Sequence, residues 1–311
     1  MYAIAVSDFG GPGVLELRQI PVPEPATGQL RVRVRASTVA KIDISTRAGA
    51  ISQAGLLAPH EAVGLGWDVA GTVDAVGPGA RRFTAGDEVI GLRDLMFTFP
   101  GAHAEYVLLD ERAVAHAPRA TPHEQAATIP LAGLTADRAL GLAGLEPGQT
   151  LLVTGAAGGV GGFVLELARL QNLRTIAVAS PDDEALVGEL GATEFVARTE
   201  ALGEAVRNRV PGGVDAVIDT AVIGVVAHEA LRGGGTFVAL VAPFAPPPIR
   251  GTKVVVQEVY ADGGRLAVLS ALAEARRLSL RVAHTLPLTE AAQAHRLVER
   301  GGQRGRIVLQ P

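Results

Sequence analysis

Cysteine is absent from the 311-residue chain, which excludes disulfides and every thiolate metal site. Lysine is almost absent too: Lys41 and Lys253 stand alone, and the other basic residues are arginine. Aromatic residues make up 4% of the chain. No sign of charge dominates, with 28 basic against 32 acidic residues and a net charge of −4. A near-neutral balance without a long basic run argues against a dedicated nucleic-acid binder. No apolar run approaches the ~20 residues needed to span a bilayer. The opening MYAIAVSDFGGPG has no basic region and meets Asp8 too early for a signal peptide. The chain is therefore expected to be soluble and cytoplasmic, with no membrane partner. It contains no Walker loop, no Ser-His-Asp elbow and no paired-carboxylate signature, which speaks against a hydrolase.

What is present is ample core material. Hydrophobic residues are 48% and charged residues 19% of the sequence, enough to exclude disorder and, at ~150 residues per domain, to suggest two domains. The 38 glycines imply many turns and close backbone approaches.

The first part reads as β. Residues 29–36 alternate sharply, with Leu30, Val32 and Val34 on one face and Arg31, Arg33 and Arg35 on the other. Further strands are expected at 14–20, 69–76, 88–92 and 104–109, with Pro21, Pro23 and Pro25 separating the first two runs. Short strands at this spacing suggest a compact, partly open barrel. The texture changes near Thr121, which is expected to cap a helix over 122–129, followed by a second helix over 135–143. Apolar strands then alternate with helices: strands at 150–153, 174–179, 194–196, 216–219 and 236–241, helices at 159–170, 182–190, 202–208 and 225–231. That alternation predicts a parallel sheet covered by helices. After Lys253 come strands again, with helices at 263–277 and 289–300 and a last strand at 306–309.

The strongest chemical signal is LLVTGAAGGVGGFVLELARL, residues 151–170. An apolar strand ends at Thr154, glycines follow at 155, 158 and 161, and a helix begins. Side chains there would block a tight turn and the approach of a pyrophosphate, which the helix N-terminus attracts through its free N–H groups and dipole. Gly155, Gly158, Gly159, Val160 and Gly161 are thus candidate cofactor residues. An acidic residue at the end of the second strand would bind a ribose 2′-hydroxyl and repel a 2′-phosphate. That strand ends instead at Ala179-Ser180, which favours NADP (NADPH), although Asp182 and Asp183 follow and pull toward NAD. Arg198, after the third strand, is either a 2′-phosphate ligand or a solvated charge. Thr220, after the fourth strand, joins the cofactor list.

Several patterns in order carry a family resemblance: PGVLELRQIPVPEPATGQLRVRVRAS, LGWDVAGTVDAVGPGARRFTAGDEV, GAHAEYV, IPLAGLTADRAL, the glycine turn, LGATEFV, GGVDAVIDT and AHRLVERGGQRGRIVLQP. With these the chain resembles the zinc-free, quinone-oxidoreductase-like branch of the medium-chain dehydrogenase/reductase superfamily. The resemblance implies a GroES-like catalytic domain from 1–117 and 254–311, a Rossmann domain over 118–253, an active site in the cleft between them, and a homodimer. It implies that Thr135 meets the nicotinamide or its phosphate, and that the backbone at Val241, Ala242 and Pro243 meets the carboxamide. Zinc relatives carry a His-Glu pair where this chain has Trp67-Asp68; His60-Glu61 reads as a chance loop pair, and no metal site is expected.

The sequence also departs from the family. Ala40 replaces an Asn three positions before Asp43, Ser45 and Thr46 stand where a Tyr is common, and no tyrosine matches the proton donor proposed in related enoyl reductases. His103 and Asp137-Arg138 replace residues that are often aromatic. Lys41, Asp43, His103 and Asp137 are the candidate catalytic residues, each with a plain structural alternative: solvation for Lys41, loop structure for Asp43, packing for His103, and a charge pair with Arg138 or Arg93 for Asp137. The leading expectation is a zinc-independent NADPH-dependent oxidoreductase delivering hydride to a quinone, enone or enoyl small molecule. A biosynthetic enzyme with a drifted, cyclising or isomerising reaction, and a non-catalytic crystallin-like protein, are the alternatives.

Overall fold

The computed structural model describes residues 1–56, 61–95 and 98–311. Among them the strands are β1 (Tyr2–Val6), β2 (Leu15–Gln19), β3 (Gln29–Val39), β4 (Val63–Gly64), β5 (Asp68–Val76), β6 (Glu88–Leu92), β7 (Tyr106–Asp110), β8 (Val114–His116), β9 (Thr150–Thr154), β10 (Arg174–Ala179), β11 (Glu194–Ala197), β12 (Val214–Asp219), β13 (Leu231–Ala239), β14 (Lys253–Val256), β15 (Val282–Pro287) and β16 (Arg306–Gln310). The helices are α1 (Lys41–Arg47), α2 (Ala50–Gln53), α3 (His123–Ala126), α4 (Pro130–Ala143), α5 (Gly159–Leu170), α6 (Glu184–Glu189), α7 (Leu202–Arg209), α8 (Val225–His228), α9 (Gly263–Glu274) and α10 (Ala291–Arg300). No helix among the described residues is long and apolar enough to cross a membrane.

The chain forms two compact units. The first comprises Met1–Leu134, Tyr260–Arg276 and Leu280–Pro311; the second comprises Thr135–Val259 and Arg277–Ser279. The first is organised by β3, whose alternation buries Leu30, Val32 and Val34. β3 pairs antiparallel with β5 and β7 along its first half and with β16 over Ser37–Val39. The resulting sheet runs β15-β16-β3-β5-β6-β8, with β7 also on β3, and a smaller sheet runs β2-β1-β4. Val69, Val73, Val89, Val107 and Leu109 fill the core against β3. The ladder to β16 carries β3 three residues past its expected end.

The second unit is a parallel sheet in the order β11-β10-β9-β12-β13-β14. β9 is buried at every position, as a strand covered on both faces requires, so its sequence is a continuous apolar run. Leu202, Ala205 and Val206 of α7 and Ala227 of α8 pack on Leu152, Ile176, Val217 and Phe237. The chain starts at β9, winds outward to β11, then crosses back to β12. The strand order therefore reverses between β9 and β12, the arrangement in which a crevice opens outside the carboxyl ends of the strands.

Several boundaries differ from expectation. The boundary expected at 253/254 falls inside the sixth parallel strand, because β14 hydrogen-bonds to β13; residues 118–134 lie with the first unit. Thr121 does not cap a helix: Pro122 holds that position before the single turn of α3, and the Thr121 hydroxyl donates to Arg119 O. α4 opens at Pro130, five residues before the start expected from the pattern. Proline suits a first helical position, and the following Leu131 N–H is accepted by Asp68 at 2.6 Å. The helix expected to reach 231 ends at His228, because β13 already begins at Leu231.

Candidate functional site

The glycine turn sits where the strand order reverses. Gly155 follows β9 with φ 59°, a conformation that side chains resist. A Cβ on Gly161 would lie 2.4 Å from Gly155 O and 2.8 Å from Ala156 Cα, so the close seating of α5 on the turn requires glycine. Gly158 precedes α5 with φ −73° and ψ 178°, which any residue adopts, and a Cβ there would meet Gly155 O at 3.1 Å. The first α5 bond closed from this end is Gly162 N–H to Gly158 O at 3.0 Å. The N–H groups of Gly159, Val160 and Gly161 come before it, where a helix has no internal acceptor. Gly155 and Gly158–Val160 are part-exposed within otherwise buried sequence. Room at the backbone, free N–H groups and the positive end of a 12-residue helix fit a pyrophosphate.

Ser180, Arg198, Thr220 and residues 241–243 follow strands at the same edge. Ser180 follows β10, and Arg198 follows β11 with its N–H on Ala179 O at 2.8 Å. The exposed Arg198 guanidinium therefore starts beside Ser180, with no partner among the described residues. Asp182 is exposed, whereas Asp183 is buried. Val241, Ala242 and Pro243 are exposed just beyond β13. Thr220 lies next to the turn, but its hydroxyl donates to Thr154 O at 2.5 Å and lies 3.3 Å from Gly155 O. Thr135 is buried on α4, and Asp137 is half-buried there with partners of its own.

In the first unit Lys41 and Asp43 lie on α1. Lys41 is exposed and its ammonium donates to Val298 O at 3.2 Å. Asp43 is fully buried; its two oxygens accept Ala40 N–H and Gly66 N–H, each at 2.7 Å. His103 is also fully buried, with Nε2 donating to Thr38 O at 3.1 Å. A Cβ on Gly66 would meet the His103 backbone N and ring at 2.5 Å, so the structure brings Asp43 and His103 together around Gly66. Both hold backbone in place; Lys41, on α1 with Asp43, is exposed and, among the described residues, held only by Val298 O.

Sequence reasoning missed a set of buried ionic residues nearby. Arg47, at the end of α1, donates to Gly10 O at 3.0 Å, to His295 Nδ1 at 3.2 Å and to Glu299. Because Arg47 donates, His295 Nδ1 carries no proton, and burial, with His103 and Arg47 adding to it, pushes the His295 imidazole down to about 2. Asp68 accepts from Thr38, from Arg306 at 2.9 Å and from Leu131 N–H; burial pushes its carboxyl up, against the pull of Arg306. Arg93 holds Leu95 O and Thr98 O at 2.6 Å each, and burial lowers it to about 10. No local pattern reveals Arg47, His295 or Asp68, since their partners are distant in sequence; Arg93 holds carbonyls only two and five residues on. Among the described residues no three His, Asp or Glu side chains converge as metal ligands; His60 lies outside the described residues.

Residues 26–119 match the alcohol dehydrogenase GroES-like domain and residues 190–309 the zinc-binding dehydrogenase family. The chain is 30% identical to the chloroplastic NADPH-dependent alkenal/one oxidoreductase of Arabidopsis thaliana, covering 100% of this chain and 80% of that one. It is 30% identical to the quinone oxidoreductase of Lama guanicoe, covering 99% and 97%. Among solved structures, an NAD-dependent alcohol dehydrogenase superposes with a TM-score of 0.89 at 31% identity, and a mycobacterial protein complexed with NADPH with 0.86 at 28%, each covering 100% of both chains. Together with the GroES-like unit and the parallel sheet carrying the glycine turn, these similarities show that the chain belongs to the medium-chain dehydrogenase/reductase superfamily, in its quinone-oxidoreductase-like branch.

Proposed function

We propose that the protein is a zinc-independent, NADPH-preferring oxidoreductase that delivers hydride to the conjugated carbonyl system of a small quinone, enone or enoyl compound. The observation that carries this reading is the glycine turn at the reversal of strand order, with three N–H groups ahead of the first α5 hydrogen bond. The names of the quinone and alkenal/one oxidoreductase relatives support the acceptor class. The nicotinamide supplies the hydride when the dinucleotide is bound. A quinone or enone spreads the developing charge over its conjugated system, so transfer needs no Lewis acid. Asp68, beside Trp67 in the stretch where zinc relatives carry ligands, is taken up by Thr38, Arg306 and Leu131.

Ser180 and the unpartnered Arg198 support NADPH: a guanidinium beside a strand end without a carboxylate suits a 2′-phosphate. Lys41 and Asp137 are the ionisable residues we assign to the substrate, while Asp43 and His103 act through the backbone they hold. Family resemblance supports a homodimer, which sedimentation of the purified protein tests. The function is tested by following NADPH oxidation with a panel of quinones, alkenals and cyclic enones. Turnover with at least one class is expected; tight NADPH binding with no turnover on any acceptor would favour a drifted or non-catalytic protein.

A further inference from the structure

The cofactor reading leaves one piece of backbone unexplained. Val222 has φ 60°, an outlier for a β-branched residue, and such a conformation persists only where its surroundings over-determine it. The surroundings are explicit. Asp219 ends β12, is buried, and accepts Thr154 Oγ1–H at 2.6 Å, Ile223 N–H at 3.2 Å and Gly224 N–H at 2.8 Å. The Thr154 hydroxyl accepts Ala221 N–H at 3.0 Å. Thr220 donates its hydroxyl to Thr154 O and sits 2.8 Å from where a Gly155 Cβ would be. Residues 220–224 are thus fastened at successive points to the end of β9 and to the first residue of the glycine turn.

We infer that Asp219 and Thr220 are positioning residues for the dinucleotide, fixing Thr154 and Gly155 and through them the N–H groups of the turn. Thr220 does not offer its hydroxyl to the cofactor, because the Thr154 carbonyl already takes its proton. A carboxylate suits position 219 because the three groups facing it are all donors. An amide there would turn N–H toward one of them and leave residues 220–224 free to relax from the Val222 conformation. The inference rests on the proposed dinucleotide site; it adds Asp219 to it and gives Thr220 a positioning role in place of direct contact.

Titration of NADPH into wild type, Asp219→Asn, Thr220→Val and Thr220→Ser, read by calorimetry beside a thermal melt of each, tests this. Thr220→Val keeps the branched shape and removes the hydroxyl; it should weaken NADPH binding at least tenfold with a melting temperature within a few degrees of wild type. Thr220→Ser should bind within about twofold of wild type, and Asp219→Asn should weaken binding at least as much as Thr220→Val. If Asp219→Asn does not fold, the Thr220 pair decides. Binding by Thr220→Val within twofold of wild type, or no rescue by serine, overturns the inference. A wild type that binds no NADPH overturns the underlying cofactor reading instead.

Discussion

The two units satisfy their backbones by different means. In the second unit, parallel strands pair along their length and α-helices close their own hydrogen bonds; side chains such as Asp219 and Thr154 take N–H groups at the strand ends, beside the three N–H groups that precede the first α5 bond. In the first unit, buried side chains reach across the fold to complete the hydrogen bonding of the backbone. Asp43 accepts Ala40 and Gly66 N–H groups, Arg47 reaches Gly10 O, Arg93 reaches Leu95 O and Thr98 O, and His103 reaches Thr38 O. A buried backbone group without a partner is costly, so ionisable residues in this unit serve structure where the same residue types would ordinarily suggest chemistry. Polar residues near a family's active region are therefore poor guides to substrate polarity until their partners are known.

The difference can be broken most severely at Asp68. Asp68→Leu would leave Arg306 with Thr38 alone and Leu131 N–H without its acceptor, and losing one partner of a buried ion pair costs about 3–5 kcal/mol. Urea unfolding should show this loss; a change under about 1 kcal/mol would mean that the network contributes little. His295 gives the next largest effect. Folded, it stays neutral down to about 2, whereas the unfolded imidazole titrates near 6.5. Below pH ~6.5 the unfolded chain takes up a proton that the folded chain refuses, so stability falls with pH, by ~1.4 kcal/mol per unit for this one group. His295→Gln should flatten the wild-type slope by that amount between pH 6 and 5; parallel slopes would place the acid sensitivity elsewhere.

At the sheet edge, Arg198→Ala should weaken NADPH about tenfold, ~1.4 kcal/mol, and leave NADH within twofold. Equal losses for both cofactors would remove Arg198 from the 2′-phosphate. Lys41→Ala should be the mildest for folding: an exposed ammonium on one carbonyl is worth under about 0.5 kcal/mol. The same variant should lower kcat/KM at least threefold on an accepted substrate. Unchanged turnover would leave Lys41 as a surface charge.

The same contrast explains what was legible in the sequence. Strand, glycine turn and helix adjoin one another over residues 150–170, so local pattern sufficed, and α5 runs over the residues expected. The alternation of β3 was likewise readable because one face is buried. The start of α4 was not, because its reinforcement comes from Asp68, 63 residues away. Arg47 and His295 are 248 residues apart and Asp68 and Arg306 are 238 apart; no periodicity links them. Thr220 was legible as a residue of the site but not in its role, since its hydroxyl faces a carbonyl 66 positions earlier.

The central claim is that the carboxyl edge of the parallel sheet holds a nicotinamide dinucleotide at the glycine turn, and Gly158 tests it most directly. Its backbone lies at φ −73°, which valine adopts without strain, and the added Cβ meets Gly155 O at 3.1 Å, so Gly158→Val fills the space over the turn at the cost of a shift of a few tenths of an ångström. NADPH titration of wild type and Gly158→Val, with circular dichroism and a melt on both, is the measurement. The account predicts saturable binding by wild type and a loss of at least about 100-fold, ~2.7 kcal/mol, in a folded variant. Equal affinity in the two proteins would contradict it.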